Sequence, residues 1–281
     1  MEITNKFSLD AGLRMDYFRF IYRNALLQRE DLQRQDRAIL CPKMNLQYNA
    51  SRIVKLYLNT GIGFHSNDTR VILNQAAKDI LPRVMGVDFG VVLTPVSSMI
   101  IKMVAWQLHS QQEFIYVGDA GIVEPGGRTI RMGIDLSLRQ QLRPWLFADV
   151  DMNFTRAKLP DNAKGQDDVP LAPSFTSMGG LTATLKHGFS SSLRYRFMDD
   201  RPASEDYSSR ADGYFLMDLI TSMRRGKWTL TVSMENIGNV EWREAQFNTS
   251  SRLQNELLPV TEIHFTPGIP RFIKAGIQYE F

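Results

Sequence analysis

The chain has 281 residues, and its 33 lysines and arginines against 30 aspartates and glutamates give a formal net charge of +3. This near balance excludes the clustered basic excess of a nucleic-acid-binding surface, and a hydrophobic fraction of 43% excludes disorder of the whole chain. The single cysteine, Cys41, excludes an intrachain disulfide and a cysteine-built zinc site.

Alternation of apolar and polar residues with a period of two predicts about twelve antiparallel strands. Residues 130–138 give the clearest case, because their apolar side chains alternate with polar or small ones. Residues 146–154 repeat the pattern after a brief connection, which predicts a hairpin. In chain order the predicted strands span residues 7–22, 43–49, 52–65, 83–94, 98–109, 126–140, 143–157, 171–187, 189–199, 211–224, 227–238 and 269–281.

The connections between these strands alternate between short and long. Short ones lie near residues 49–52, 95–98, 141–144, 187–189 and 224–227, and long ones fill 23–42, 66–82, 110–125, 158–170, 200–210 and 239–268. Outer-membrane β-barrels have this asymmetry, with short turns at one end and long loops at the other.

Strand length and aromatic placement also favour a membrane barrel over a soluble β-sandwich or barrel. Several predicted strands run to roughly 12–16 residues, whereas soluble strands usually have about 5–6. Aromatic residues gather at both ends of the apolar face, as in the interfacial girdles of membrane barrels, so this face is expected to contact outer-membrane lipid. They are Tyr48, Phe189, Trp228, Tyr279 and Phe281 near the short connections, and Tyr17, Phe64, Phe154, Tyr195 and Phe197 near the long ones.

The last predicted strand is amphipathic and stops on an aromatic residue. Ile273, Ile277, Tyr279 and Phe281 share one face, with polar or small residues such as Lys274 between them. Such an ending resembles the sorting signal that the barrel assembly machinery of the outer membrane reads.

Six segments in order resemble parts of one protein family. They are 42–46 (PKMNL) with 56–59 (LYLN), 61–68 (GIGFHSND), 113–120 (EFIYVGDA), 171–173 (LAP) followed by Gly179 and Gly180, 235–239 (ENIGN) followed by Trp242, and 266–271 (TPGIPR). Together with the terminal Phe281, they resemble the C-terminal half of a TonB-dependent receptor barrel. Ile237 and Gly238 depart from the family pattern, which has Leu-Phe there.

The resemblance implies an all-β, antiparallel up-and-down transmembrane β-barrel, of which residues 1–281 supply about 12 of about 22 strands. The N-terminal plug domain and the first barrel strands are expected upstream. A signal peptide is expected there as well, because the start of this sequence has no basic or apolar leader segment. The implied location is the bacterial outer membrane.

The resemblance also implies a function. Loops would bind a scarce solute, with a ferric siderophore as the default, and a TonB-type coupling protein acting through the absent plug would drive its passage through the lumen. No cofactor, resident metal or nucleic-acid partner is expected.

Polar residues that share one face of the predicted strands are candidates for the lumen wall, where simple solvation is an alternative role for each. They are Lys55, Asn59, Asp88, Arg131, Asp135, Arg139, Asp149, Asp151, Lys186, Arg194, Arg196, Asp218, Glu235 and Lys274.

Ligand contact is expected from the loops and the upper lumen, because a rigid barrel positions its loops for recognition. The candidates are His65, Asn67, Asp68, Arg70, Tyr116, Asp119, Trp242, Arg243 and Phe247. His65 also fits the alternative role of a rim residue that caps its strand.

No catalytic residue is predicted. The Gly-x-Ser-x-Gly nucleophile motif does not occur in the sequence, and no histidine has an aspartate two residues before it to complement Asp199 and Asp200. The sequence therefore favours a transporter over an outer-membrane hydrolase.

Two alternatives remain: a self-contained pore or adhesin barrel of about twelve strands, and a soluble all-β binding protein. In a self-contained barrel, strand 7–22 would pair with strand 269–281 and close the ring. In a fragment of a larger barrel, strand 7–22 would lack that partner. A soluble protein would refold without detergent.

Overall fold

The computed structural model describes residues 2–23, 32–65, 80–117 and 122–281. These residues form nineteen β-strands and one 3₁₀ turn, Lys186–Gly188. No helix among them has the length and apolar character needed to cross a membrane.

Thirteen strands form a single antiparallel sheet in which strands follow one another in up-and-down order. In sheet order they are β1 (Glu2–Thr4), β2 (Phe7–Arg23), β3 (Leu32–Asn49), β4 (Val54–Phe64), β5 (Arg83–Leu93), β6 (Met99–Ser110), β9 (Thr129–Arg143), β10 (Leu146–Lys158), β11 (Phe175–Thr184), β12 (Phe189–Met198), β15 (Tyr214–Arg225), β16 (Trp228–Glu235) and β19 (Phe272–Tyr279). The other six pair as hairpins within three long connections: β7 (Phe114–Val117) with β8 (Ile122–Pro125), β13 (Arg201–Pro202) with β14 (Arg210–Ala211), and β17 (Arg243–Ser251) with β18 (Val260–Pro267).

All twelve predicted strands are present, and the predicted alternation of connections is confirmed. At the short end, Pro144 and Trp145 alone join β9 to β10, and Gly226 and Lys227 join β15 to β16. Gly226 has a φ of 57°, a left-handed conformation that glycine adopts without steric cost. The long connections all lie at the opposite end, which is called the rim below.

The start of β3 is the largest error of the sequence prediction. Residues 32–42 were assigned to a long connection, yet β2 and β3 pair continuously from Phe7–Tyr48 to Arg23–Leu32. Residues 34–37 of β3, near the rim, are polar on both faces, so period-two alternation no longer marks this strand. The pairing of β3 with β4 ends at Lys43, directly after Pro42, which has no N–H to donate to a ladder.

Cross-strand register gives the sheet two chemically distinct faces. In one row, Leu58, Phe89, Ala105, Ile134 and Phe154 stand side by side from β4 to β10. Phe89, Ile134 and Phe154 remain about half exposed, at 51%, 53% and 49%. A continuous exposed apolar surface of this kind marks contact with a membrane or a partner. It is called the apolar face below, and the opposite side is the polar face.

The register also assigns the two faces of β6, where the apolar run Met99, Ile100 and Ile101 interrupts the alternation of apolar and polar residues. Ile101 and Met103 stand opposite Leu138 and Leu136 on the apolar face, so Ile100 belongs to the polar face.

Aromatic rings cluster at both ends of the apolar face, as predicted. Trp228 and Tyr279 lie 4.7 Å apart between ring centroids at the short-connection end. Phe154 and Phe175 lie 4.5 Å apart and stack near the rim.

Phe64 was assigned to this aromatic row, and that assignment is wrong. Its ring lies 5.6 Å from Phe18 and packs against the small buried cluster beside the β2–β3 hairpin, because β4 no longer pairs with β3 beyond Gly61. Cys41, predicted to be a loop residue, is buried in the same cluster on β3. The cluster consists of Ile39, Cys41, Ile80 and Leu81, with Phe18, Phe20 and Phe64 packed against it.

The sheet is open within the described part of the chain. At one edge β2 pairs with β1 and β3, and at the other edge β19 pairs with β16. No ladder joins β2 to β19 among the described residues. The ring closure expected of a self-contained barrel is therefore not seen.

Candidate functional site on the polar face and rim

The polar face carries ion pairs that bridge different strands. Arg139 on β9 lies 2.6 Å from Asp151 on β10, and Arg196 on β12 lies 3.3 Å from Asp218 on β15. Lys274 on β19 pairs in the same way with a carboxylate on β16, that of Glu235. Opposite charges on neighbouring strands stabilise a sheet, and here they also give one whole face the character of a water-lined wall.

One ion pair crosses an intervening strand. Asp149 on β10 and Arg194 on β12 lie 2.5 Å apart although β11 runs between them. Gly180 is the residue of β11 opposite both. A Cβ atom at Gly180 would lie 3.0 Å from the Arg194 Cδ and 2.2 Å from a backbone oxygen, so the missing side chain opens the path.

A second polar-face group centres on Asp135 of β9. Its carboxylate accepts a 3.0 Å hydrogen bond from the indole N–H of Trp106 and another from the Asn153 amide. Gly133, two residues away, leaves room for the indole, because a Cβ there would lie 2.6 Å from the Trp106 ring. The aromatic ring is thus held flat along a polar wall.

The predicted lumen residues share this face in the observed register, with one difference in placement. Lys186 lies in the short turn and not on a strand, because β11 already ends at Thr184. Arg131 pairs with Glu113 near the rim, a partner that the sequence prediction missed. Whether the whole set lines a lumen stays a prediction at this point.

At the rim, Trp242 is packed between groups from two strands. Its ring centroid lies 5.1 Å from that of Tyr214 on β15 and 6.0 Å from the guanidinium carbon of Arg196 on β12. The indole N–H donates a 3.0 Å hydrogen bond to the carbonyl of Ile269. A Cβ at Gly268 would lie 2.1 Å from the indole, so glycine is required beside it.

The β17–β18 hairpin is fastened to the neighbouring β12–β15 connection. Arg243 lies 2.9 Å from the Asp212 carboxylate and 4.2 Å above the ring centroid of Phe265. Gln246 is 2% exposed and bonds the backbone of Asp212 twice, accepting from its N–H at 2.9 Å and donating to its carbonyl at 2.8 Å. Hydrogen bonds and an ion pair therefore hold the rim together around Trp242 and Arg243.

The predicted ligand residues divide into separate groups. Trp242, Arg243 and Phe247 belong to the β17–β18 hairpin and the residue preceding it. His65 lies elsewhere, with its Nε2 atom 3.3 Å from the Gln112 carbonyl oxygen. Tyr116 lies on β7 opposite Val123. The side chain of Tyr116, and Asn67, Asp68, Arg70 and Asp119 entirely, lie outside the described residues.

The longer connections carry carboxylates that are stabilised in their charged form. Asp206 accepts hydrogen bonds at 2.7 Å from the hydroxyls of Ser204 and Ser208, and these donors lower its pKa from 3.8 to about 2. Arg128 likewise lowers the pKa of Asp161 through a side-chain hydrogen bond.

Several of these residues could not be predicted from the sequence. Gln246, Asp212 and Tyr214 act through contacts between elements far apart in the sequence, which alternation along one strand does not reveal. Trp106 could have been found only after the facing of β6 was known. Within the described ranges, no group of three or more His, Cys, Asp or Glu side chains is placed to hold a metal ion.

Comparison with known proteins identifies related sequences and folds. A family model described as "TonB dependent receptor-like, beta-barrel" matches residues 1–237. Comparison with curated proteins gives no match.

Solved structures share the fold over almost the whole chain. The ferric-catecholate import receptor Fiu from E. coli K12 is similar with a TM-score of 0.72 at 13% identity, over 99% of this chain and 43% of its own. The ferric yersiniabactin uptake receptor FyuA from Yersinia pestis gives 0.75 at 13% identity, over 99% and 44%. The copper transporter OprC gives 0.75 at 13% identity, over 99% and 47%. The chain thus spans less than half the length of these three proteins.

Proposed function

Because this chain belongs to the family of TonB-dependent receptor β-barrels, we propose that it forms the C-terminal part of an outer-membrane receptor that takes up a scarce chelated solute. The fold is an antiparallel up-and-down transmembrane barrel wall. A ferric siderophore is the first candidate for the solute. The observation that carries the proposal is the division of the whole sheet into an apolar and a polar face.

The two faces fit opposite surroundings. Residues such as Phe89 and Ile134 are exposed and apolar, so the bilayer is their natural solvent. The ion pairs Arg139–Asp151 and Arg194–Asp149 belong to a water-filled lumen, where they hydrogen-bond water and face a plug. The thirteen predicted lumen residues that lie on strands take this role in the proposal, and Lys186, which lies in a short turn, does not.

The rim supplies the groups that recognise the solute. Trp242 and Tyr214 offer aromatic surface, and Arg243, whose side chain is 34% exposed, offers positive charge. This combination suits an anionic chelate with aromatic or planar parts, since guanidinium groups bind carboxylate-like oxygens and stack on rings. Fiu and FyuA, which have the same fold, are described as receptors for ferric compounds.

The remaining machinery lies outside this sequence. An upstream plug, further barrel strands and a signal peptide would complete the receptor, and a TonB-type coupling protein would act on the plug. The barrel assembly machinery would read the last strand, where Tyr279 stacks edge-on against Phe281 at 5.3 Å.

Binding of ferric chelates to the whole receptor tests the proposal. With the upstream coding sequence restored, the purified receptor is titrated with a ferric catecholate, a ferric hydroxamate, ferric citrate and Cu²⁺ while its tryptophan fluorescence is followed. One ferric chelate is expected to quench saturably. Arg243→Gln should weaken it by about tenfold, the effect of losing about 1.4 kcal/mol.

Matched controls separate a lost contact from a disturbed rim. Arg243→Lys keeps the charge and should retain part of the affinity, and Arg252→Gln, at an exposed position after β17, should leave it unchanged. Saturable binding of Cu²⁺ alone would contradict the siderophore assignment. Absence of binding by all four would contradict uptake of a chelated metal.

A further inference from the structure

The short-connection end carries an excess of basic residues that the rest of the chain does not share. Its turns are residues 5–6, 50–53, 94–98, 144–145, 185–188 and 226–227. Within these turns, the two residues on either side of each and the chain end after β19, eight basic residues accompany one acidic residue, Glu280. This end therefore has a formal charge of +7, although the whole chain has only +3. The basic residues are Lys6, Arg52, Lys55, Arg143, Lys186, Arg224, Arg225 and Lys227.

The basic residues follow the spacing of the turns. Five of the six short turns in the described ranges have one within the turn or directly before it: Lys6, Arg52, Arg143, Lys186 and Lys227. Successive turns are two strands apart, so they stand about 10 Å apart, and the row from β1 to β16 extends about 48 Å. This spacing is about one Debye length at physiological ionic strength, so the fields of neighbouring charges still overlap.

Most of these cations have no carboxylate partner. Arg224 lies 2.5 Å from Glu280, whereas no carboxylate of the described residues pairs with the other seven, all of which are exposed. On the polar face, by contrast, Arg139 and Arg194 each bind an aspartate. Unneutralised charge of one sign is therefore concentrated at this edge of the sheet, where it attracts anions.

The basic residues lie on both sides of the sheet edge. Arg225 stands opposite Trp228, on the side of the apolar face. Lys55 is in one register row with Lys102 and Ser137, on the side of the polar face. A layer of lipid headgroups meets only the apolar side of a barrel wall. An anionic surface that contacts both sides must lie beneath the edge, in the aqueous space.

The length of the row favours a polymer over a small anion. A free carboxylate or phosphate touches one turn or two neighbouring turns, and an exposed ion pair contributes little on its own. A polymer with repeated carboxylates contacts several turns at once, so each later contact forms at a high effective concentration. The bacterial cell wall is such a polymer, because peptide stems with free carboxylates extend from its glycan strands.

We propose that the short-connection end docks on the anionic glycan–peptide polymer of the cell wall through its basic turns. The inference rests on the proposed function for its orientation, in which the rim faces outward and this end faces the periplasm. The docking surface is separate from the solute site, because it lies at the end of the sheet opposite Trp242 and Arg243. The contact anchors the receptor to the wall beneath the membrane.

Sedimentation with purified cell-wall sacculi tests the docking surface. The whole receptor, with its upstream sequence restored, is held in a neutral detergent, mixed with sacculi and centrifuged. The wild type is expected to sediment with intact sacculi and to stay in solution with sacculi whose carboxylates have been converted to amides. High ionic strength should release it. Equal sedimentation with intact and amidated sacculi would overturn the proposal.

A triple variant in the turns locates the contact. Arg52→Gln, Lys186→Gln and Lys227→Gln together remove one cation from each of three turns. Binding to sacculi should weaken by about tenfold or more, because several contacts of one polymer are lost together. Circular dichroism of the variant shows whether the sheet is retained. Unweakened binding by this variant would overturn the proposal.

A second triple variant with the same change in net charge is the control. Arg156→Gln, Lys164→Gln and Arg252→Gln together remove three exposed cations that lie nearer the rim. Binding to sacculi should be unchanged, because these residues are at the opposite end of the sheet. Weakening equal to that of the turn variant would mean that net charge alone governs binding, which would overturn the proposal.

Phospholipid is the competing anionic ligand at this end. Native mass spectrometry counts the phosphatidylglycerol and phosphatidylcholine that the receptor retains from an equal mixture. The turn variant is expected to retain both lipids in the same ratio as the wild type. A preference for phosphatidylglycerol that disappears in the turn variant, with no sedimentation of the wild type, would assign the basic turns to headgroups and overturn the proposal.

The two proposals fail separately. A receptor that binds a ferric chelate but not sacculi would refute this inference alone. A receptor that binds sacculi through its turns but binds none of the chelates would refute the proposed solute and leave the docking surface in place.

Discussion

Hydrogen-bond donors set the charge state of single residues at the rim, and Asp206 is the clearest example. Its carboxylate accepts from the hydroxyls of Ser204 and Ser208 and also from the Ser208 backbone N–H at 3.0 Å. All three donors favour the ionised form, so the pKa falls from 3.8 to about 2. The turn between β13 and β14 is therefore built around a permanent negative charge at neutral pH.

This arrangement predicts an acid-sensitive turn. Because the folded pKa is depressed, the stabilisation is fully present above 3.8, the unfolded value, and is lost as the pH falls through about 2. Hydrogen exchange at the Ser208 and Ser209 amides, corrected for intrinsic rate, should show protection that declines over this window. Asp206→Asn should remove the decline, and a decline that persists in that variant would assign it to another group.

Elements of the rim are held by side chains that reach from one connection to another. The β17–β18 hairpin depends on Gln246, which satisfies both backbone groups of Asp212 while it is itself 2% exposed. Buried backbone groups without partners are costly, so this contact determines where the hairpin lies.

Gln246→Ala is expected to loosen the hairpin without unfolding the sheet. The part-buried N–H of Asp212 loses its partner, and its carbonyl keeps only the 3.3 Å hydrogen bond from the Arg201 guanidinium, at a cost of about 1–3 kcal/mol. Limited proteolysis should then cut residues 252–259 faster than in the wild type. Gln254→Ala, at an exposed position in that segment, serves as the control. Equal cleavage of both variants would mean that Arg243 and Trp242 hold the hairpin on their own.

The alternation of apolar and polar residues predicted the strands of the thirteen-stranded sheet. It missed the upper part of β3 and the hairpins of the long connections. Each crossing strand has lipid on one side and water on the other, which imposes a period of two on the sequence. The upper part of β3 has charged residues on both faces, including Asp36 paired with Arg19 at 3.0 Å. Hairpins such as β17–β18 do not have one face toward lipid along their length, so their sequences show no period-two alternation that would predict them.

Two faces of opposite character run across the whole molecule, and a matched pair of substitutions can assign them. Leu136 on β9 belongs to the apolar face, and Ser137, its neighbour, belongs to the polar face. Leu136→Arg should cost about 2–4 kcal/mol if it lies near the bilayer midplane. Ser137→Arg should cost far less, because its side chain extends toward water and toward Asp151.

Urea unfolding of the receptor from lipid bilayers measures both costs. A large loss for Ser137→Arg together with a small one for Leu136→Arg would mean that the faces are assigned inside out. Equal small losses would argue against insertion of this part of the sheet.

The candidate site was only partly within reach of sequence reasoning. Trp242 and Arg243 could be predicted as ligand residues because they follow segment 235–239, which resembles the family pattern at the end of a strand. The partners that define their surroundings are Tyr214, at the start of β15, and Asp212, in the connection before it, and finding them required the folded structure. Likewise, the Asp149–Arg194 pair depends on strand register, which a single sequence does not specify.

The length of the β2–β3 hairpin has a consequence for what approaches from outside the cell. Its paired strands span seventeen residues, or about 56 Å. At the usual tilt of about 40° they rise about 43 Å, well beyond an apolar band about 25 Å tall. Arg19 lies twelve residues beyond Phe7 and rises about 30 Å, so the Arg19–Asp36 pair stands about 5 Å above that band in the proposed orientation, at the level of the lipid headgroups. The remaining residues of the hairpin rise further, where an antibody can reach them without displacing the membrane.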